Sequence, residues 1–135
     1  MLAVTHAIPD AVRERLNLIL TGQTAEGGAM PLVKPLTHRP GHEETPTVEK
    51  YRSDDPLWLP ITVANFVYET GDVSYLDRVL PYADHGEATV FGHLRQAIQF
   101  SLDHLGANGL VQGLQADWND CIQFGTTGES MFSTF

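Results

Sequence analysis

Asp117-Trp118-Asn119-Asp120 is the densest polar and aromatic cluster in the sequence, and it follows a stretch punctuated by Gly106, Gly109 and Gly113. Loops presented by a rigid scaffold are where binding and catalytic side chains collect. A carboxylic acid beside an indole has the makings of a general acid, because an apolar neighbour raises its pKa toward working pH. The flat aromatic face also suits the apolar face of a sugar ring. The same four residues fit a second reading, an Asx-turn followed by a buried tryptophan, since Asp and Asn are common turn formers.

Arg52-Ser53-Asp54-Asp55 stands just ahead of a strongly apolar helical stretch. Asp55 is the expected N-cap, with Pro56 at the first helical position, where its missing N–H is harmless. Asp54 is then free to bind a ligand hydroxyl, and Arg52 could neutralise it or hold an anion. A surface Arg–Asp pair with a cap is the alternative. His38 and His42 are four residues apart, but Pro40-Gly41 between them breaks the helix that a metal pair at this spacing needs, so no metal site is expected. His85, His93 and His104 fit helix ends or surfaces, and Cys121 reads as a small buried residue. Neither GK[ST] nor GxGxxG occurs, so nucleotide binding has no support.

The elements that would position these residues are helical. The pattern predicts a helix over 11–20 with Val12, Leu16 and Ile19 or Leu20 on one face, and Gly22 as its left-handed stop. Residues 22–54, interrupted by Pro31, Pro35, Pro40 and Pro46, have no sustained period and read as a long ordered loop. A helix from 55 to 71 is apolar in nearly every direction, which predicts burial on most sides. A short helix is expected over 74–80 and a longer one over 87–105, on the spacing of Val90, Phe91, Leu94, Ala97, Ile98, Leu102 and Leu105. Ser130 introduces a further helical start at Met131-Phe132. The expected fold class is all-α. Helices apolar nearly all round need more partners than 135 residues supply, so the chain reads as a fragment.

Composition narrows the function. With 42% hydrophobic and 19% charged residues the chain is globular, and its length allows one domain at most. A net charge of −9 without a Lys/Arg cluster argues against nucleic acid and against an anionic membrane. The apolar stretch 57–68 is interrupted by Pro60 and falls short of the ~20 residues of a bilayer span. No signal peptide is expected at the N-terminus, and the single cysteine fits a reducing cytoplasm.

Three segments together resemble the inverting glycoside phosphorylases of glycoside hydrolase family 94, which include cellobiose and chitobiose phosphorylases. They are Tyr51-Arg52-Ser53-Asp54-Asp55-Pro56-Leu57-Trp58-Leu59, Glu69-Thr70-Gly71-Asp72 and Ala116-Asp117-Trp118-Asn119-Asp120-Cys121. Gly22-Gln23-Thr24, Gly27-Gly28, Pro81-Tyr82-Ala83-Asp84 and Gly86-Glu87-Ala88-Thr89 are similar as well. The resemblance implies a part, residues 1–135, of an (α/α)6-barrel catalytic domain, without the N-terminal β-sandwich and the remainder of the barrel. It implies phosphorolysis of a β-linked disaccharide, with inversion, to an α-sugar 1-phosphate and a free sugar. Asp120 would be the general acid, Trp118 would line the sugar site, and Asp54, with Arg52 and Asp55, would bind that sugar's hydroxyls. Phosphate is itself an anionic nucleophile, so one carboxylic acid suffices where an inverting hydrolase needs two. Phosphate would be the co-substrate, with no cofactor, and Arg39 or Lys34 its candidate partners here. Ser53 after Arg52 is closer to chitobiose-type or unassigned members. The implied protein is cytoplasmic and homodimeric, and the isolated chain is expected to be inactive. An inverting hydrolase on the same barrel and a non-catalytic carbohydrate-binding remnant are the alternatives.

Overall fold

Helix α1 spans Pro9–Leu20, with Pro9 in its first turn and Val12, Leu16 and Leu20 buried along one face. The computed structural model describes residues 4–29, 51–119, 121–122, 124–125 and 127–135. Gly22 is not the expected left-handed stop: Thr21, Gly22 and Gln23 instead donate back to Asn17, Ile19 and Leu20, tightening the last turn. The chain then turns sharply, the Thr24 amide meeting the Gly28 carbonyl at 2.8 Å.

Helix α2 spans Asp55–Thr70 and carries Pro60 inside it. Its N-cap is Asp54, not Asp55, and Asp54 makes no side-chain cap; Asp55 is the first helical residue and Pro56 the second. Gly71 closes it at φ 71°, a left-handed conformation that costs a residue without Cβ little, and its amide bonds the Val67 carbonyl at 2.8 Å. Pro56, Leu59, Val63 and Phe66 are buried, while Trp58, Ile61 and Tyr68 are exposed. Burial on most sides is therefore not observed. Helices α1 and α3 cover one face, Phe132 packs on Trp58, and Ile61 and Tyr68 stay exposed.

A 3-10 turn, Val73–Asp77, stands where a short α-helix was expected, and it leads into strand β1, Val79–Pro81. Strand β2, Glu87–Thr89, pairs with β1 antiparallel, Leu80 opposite Ala88. Helix α3, Val90–Asp103, begins three residues later than expected because the Thr89 hydroxyl accepts from the Gly92 amide at 3.0 Å and caps it there. The small sheet makes the chain mainly helical rather than all-α. On α3 the buried set is Val90, His93, Leu94, Ala97, Phe100 and Ser101, whereas Phe91, Ile98 and Leu102 are exposed, as is Leu105 just beyond its end. Half the apolar spacing thus marks a second stripe that nothing described covers. A single turn, α4, spans Met131–Thr134.

The main core joins Val12, Leu16 and Leu20 of α1, Leu59, Val63 and Phe66 of α2, Tyr75, Leu80, and Val90, Leu94 and Ala97 of α3. Tyr51, Phe100 and Leu114 form a second cluster. Among the described residues, no helix is long and apolar enough to cross a membrane.

Candidate functional site

The two chemistry-bearing segments meet. The Ser53 amide donates to the Ala116 carbonyl at 2.9 Å and the Gln115 amide to the Tyr51 carbonyl at 3.0 Å, so Arg52 bridges both Leu114 and Ala116 through its backbone. Tyr51 anchors this joint. Its ring lies edge-on to Phe100 at 5.4 Å and is so close to Gly28 that a Cβ there would stand 2.7 Å from it. Its hydroxyl meets the Thr24 hydroxyl at 3.1 Å, and burial, aided by the nearby Glu26 and Asp84 carboxylates, pushes its pKa up to about 12. Tyr51 is therefore a neutral structural strut. Leu114, across the joint, sits at φ 55°, a strained conformation for a branched residue that its burial against Tyr51 and Phe100 holds in place.

Asp117 is buried and fully engaged. Its Oδ1 accepts from the Asn119 amide at 2.8 Å, an Asx-turn, and its Oδ2 from the Ser130 hydroxyl at 2.7 Å. The Ser130 Oγ in turn accepts from the Ser133 amide at 3.0 Å, capping α4. The Ser133 and Ser53 hydroxyls stand 2.8 Å apart, which closes a buried polar chain from the Arg52–Asp55 corner through α4 to the Asp117 loop. The turn reading of Asp117 is what the structure shows. The companion expectation of a buried tryptophan is not: Trp118 is 65% exposed, its ring stacked on Phe132 at 5.7 Å.

Phe132 also packs on Trp58 at 6.4 Å, and the Trp58 indole N–H donates to Asp54 Oδ2 at 2.9 Å. Asp54 is only 6% exposed, and its Oδ1 has no hydrogen-bond partner among the described residues. It lines a cavity of about 580 Å³ together with Leu57, Trp58, Ile61, Met131 and Phe132. The arrangement is an aromatic wall with one buried carboxylate edge, the mostly apolar lining with few polar groups that small-molecule sites have.

Asp54, Arg52, Asp55 and Trp118 are thus gathered at one end of α2. Arg52 and Asp55 are half-buried, and neither residue is without an interaction. Asp120, Arg39, Lys34, His38 and His42 lie outside the described residues. Cys121 is exposed rather than buried, because its loop turns outward with its amide on the Asn119 side-chain oxygen at 3.1 Å. His93 is fully buried, not superficial: Gln23 Oε1 faces its Nδ1 at 2.7 Å and the Leu80 carbonyl its Nε2 at 3.1 Å. Among the described residues, no group of three or more His, Cys, Asp or Glu side chains could hold a metal ion. Tyr51 and Ser53 belong to the segment that carries the resemblance, but nothing in the sequence marks the structural part played by Tyr51, Ser53 or Ser133; only Ser130, ahead of an apolar pair, carries a capping signal.

The family model for the glycosyl hydrolase 94 superfamily catalytic domain matches residues 1–135. The chain belongs to the glycosyl hydrolase 94 superfamily. It is 40% identical over 152 residues to the N,N'-diacetylchitobiose phosphorylase of Vibrio furnissii, covering 99% of this chain and 19% of that protein. Against the enzyme of the same name from Vibrio proteolyticus the identity is 38%, over 98% of this chain and 19% of the relative. A solabiose phosphorylase of Paenibacillus borealis is 38% identical over 61% of this chain and 11% of its own length. The chain spans about a fifth of the length of the first two of these glycosyl hydrolase 94 relatives.

Proposed function

We propose that this chain is the sugar-gripping part of an inverting disaccharide phosphorylase, which cleaves a β-linked disaccharide with inorganic phosphate to an α-sugar 1-phosphate and a free sugar. The observation that carries the reading is the joint between residues 51–54 and 114–117. It brings Trp58, which holds the buried Asp54 carboxylate, and the exposed indole of Trp118 both against Phe132. Sugars are bound by this pairing of flat apolar faces with hydroxyl acceptors.

In the proposed mechanism, Asp54 accepts from hydroxyls of the sugar being cleaved and Trp118 stacks on or beside its ring, with Arg52 and Asp55 completing the polar edge. Asp120, two residues beyond Trp118, protonates the bridging oxygen as phosphate attacks from the opposite face. Phosphate brings its own negative charge to the attack, so no second carboxylate is needed as base. Arg39 is the candidate phosphate partner within this chain, and phosphate is the co-substrate of a reaction without a cofactor.

The finer architecture is an (α/α)6 barrel of which this chain is one segment. The uncovered apolar sides of α2 and α3 support this, since each offers a stripe that further helices would bury. The relatives named as N,N'-diacetylchitobiose phosphorylases make an N-acetylated disaccharide the first substrate to try. We place the whole enzyme in the cytoplasm, as a homodimer that does not bind nucleic acid, in keeping with one cysteine and a net charge of −9.

The test is incubation of the full-length protein with N,N'-diacetylchitobiose, with and without inorganic phosphate. Sugar 1-phosphate formed only when phosphate is present supports the reading. Cleavage at the same rate without phosphate would make the protein a hydrolase, and binding without cleavage would make it a carbohydrate-binding remnant.

A further inference from the structure

Asp54 poses a question that sugar binding alone does not answer: what aims its carboxylate. At the N-cap of α2 its expected duty is to accept from the amides of the first turn, and it makes no such bond. Only its backbone carbonyl serves the helix, accepting from the Leu57 and Trp58 amides at 2.9 and 3.2 Å. Its side chain instead takes the Trp58 indole N–H on Oδ2 at 2.9 Å, and Oδ1 stays buried without a hydrogen-bond partner among the described residues. A buried acceptor left open is costly in a folded protein, so it marks a place where a ligand donor belongs.

We infer that Trp58 is a positioning residue for sugar recognition: its indole N–H holds one oxygen of Asp54 so that the other, buried and unpartnered at the wall of the cavity, is kept as the acceptor for a sugar hydroxyl. This deepens the proposed function and rests on its assignment of Asp54 to the sugar. Three features of Trp58 suit the task. At i+4 from Asp54 it lies directly above the carboxylate on one helix face. Indole nitrogen is a donor only, so it leaves the acceptor capacity of the second oxygen intact, and being neutral it does not cancel the carboxylate charge as an arginine would. Its ring is held by Phe132, which stacks on Trp118 in turn, so the aim of Asp54 and the position of the sugar-stacking indole are set by one shared contact.

The experiment compares Trp58→Phe, Asp54→Asn and the double variant in the full-length enzyme, measuring kcat, KM for disaccharide, KM for phosphate and melting temperature. Phenylalanine keeps an aromatic ring toward Phe132 and removes the N–H together with the five-membered half of the indole. The expected result for Trp58→Phe is a rise of about 10-fold in disaccharide KM, the worth of one hydrogen bond to a charged group, with phosphate KM unchanged and with the lowered melting temperature that loss of a buried carboxylate's partner brings. Combined with Asp54→Asn, the tryptophan change should add nothing further. Equal rises in both KM values, a lowered melting temperature alone, or additive effects would show Trp58 to be structural and overturn the inference. If Asp54→Asn raises the disaccharide KM while Trp58→Phe does not, the positioning role falls and the sugar role of Asp54 stands. If Asp54→Asn itself leaves the disaccharide KM unchanged, both fall together.

Discussion

The backbone amide of Ser53 is bonded to the carbonyl of Ala116 at 2.9 Å, and the Ser53 hydroxyl lies beside the same carbonyl at 3.4 Å. Two segments more than 60 residues apart are therefore locked in register at a single point. Every residue proposed to touch the sugar stands within a few positions of that point. The loop that carries Trp118 is consequently held at Asp117 by buried backbone and hydroxyl bonds, as rigid presentation of a binding side chain requires.

Ser130→Ala should loosen that loop. The hydroxyl serves two groups at once, donating to Asp117 Oδ2 and accepting from the Ser133 amide. Its removal strips a buried carboxylate of one partner and α4 of its cap. The expected loss is about 1–3 kcal/mol, read as a lower melting temperature of the full-length protein together with reduced turnover. Ser130→Thr keeps the oxygen and should restore most of both; equal defects in the two variants would show that the hydroxyl is not what holds the loop.

Asp120→Asn should remove turnover while sparing the grip on sugar. General acid catalysis supplies roughly 10²–10⁴-fold, so kcat for phosphorolysis should fall by that order with the disaccharide still bound. Titration calorimetry with the disaccharide alongside the rate assay separates the two effects. Rates within a few-fold of the unaltered enzyme would remove Asp120 from the mechanism.

The local features were legible in the sequence and the long-range ones were not. Helix α1 and its buried Val12, Leu16 and Leu20 follow from their spacing, and so does the extent of α2, whereas the left-handed stop expected at Gly22 is absent. The corner at residues 52–55 and the cluster at 117–120 stand out by residue type, and the structure adds what spacing cannot hold: that residues 51–53 are bonded to 114–116, just ahead of that cluster. Cross-chain hydroxyl pairs such as Ser53 with Ser133 have no period and no local partner. The strand at 87–89 was hidden because Thr89, a helix cap, looks from its neighbours like part of the helix it starts. His93 falls on the same helical spacing as Val90, Ala97 and Phe100, and only the polarity of imidazole argued for the surface. Its buried partners, Gln23 and the Leu80 carbonyl, lie on other elements.

Gly27→Ala should destabilise the fold. Gly27 has φ +104°, and an added Cβ would meet the Gln96 carbonyl and lie 2.8 Å from Phe100 Cβ on α3. Strain of this kind costs on the order of 1–3 kcal/mol for the backbone alone, with overpacking added to it. A lowered melting temperature checks the expectation, and Gly86→Ala, also at positive φ but with nothing within 4 Å of the added atom, is the control that should cost less.

Stability should fall as pH drops below the ordinary histidine range, and His93 should be a named contributor. Burial lowers its pKa and outweighs the Leu80 carbonyl, which pulls the other way. Carbonyl oxygens face both ring nitrogens, so a neutral ring satisfies only one of them, yet desolvation of the charged form remains the larger effect. The Gln23 amide cannot turn to relieve this, because its Nε2 already donates to the Gly27 and His93 carbonyls at 3.1 Å. A histidine whose folded pKa lies below its unfolded value binds its proton more readily in the unfolded chain. Its contribution is therefore complete above about pH 6.5 and is lost progressively as pH falls through the lower, folded value. Denaturant midpoints of the full-length protein and of His93→Gln, measured between about pH 5 and 8, isolate this group from the other histidines. The unaltered protein should lose stability more steeply on the acid side, and parallel curves would rule His93 out as a source of the slope.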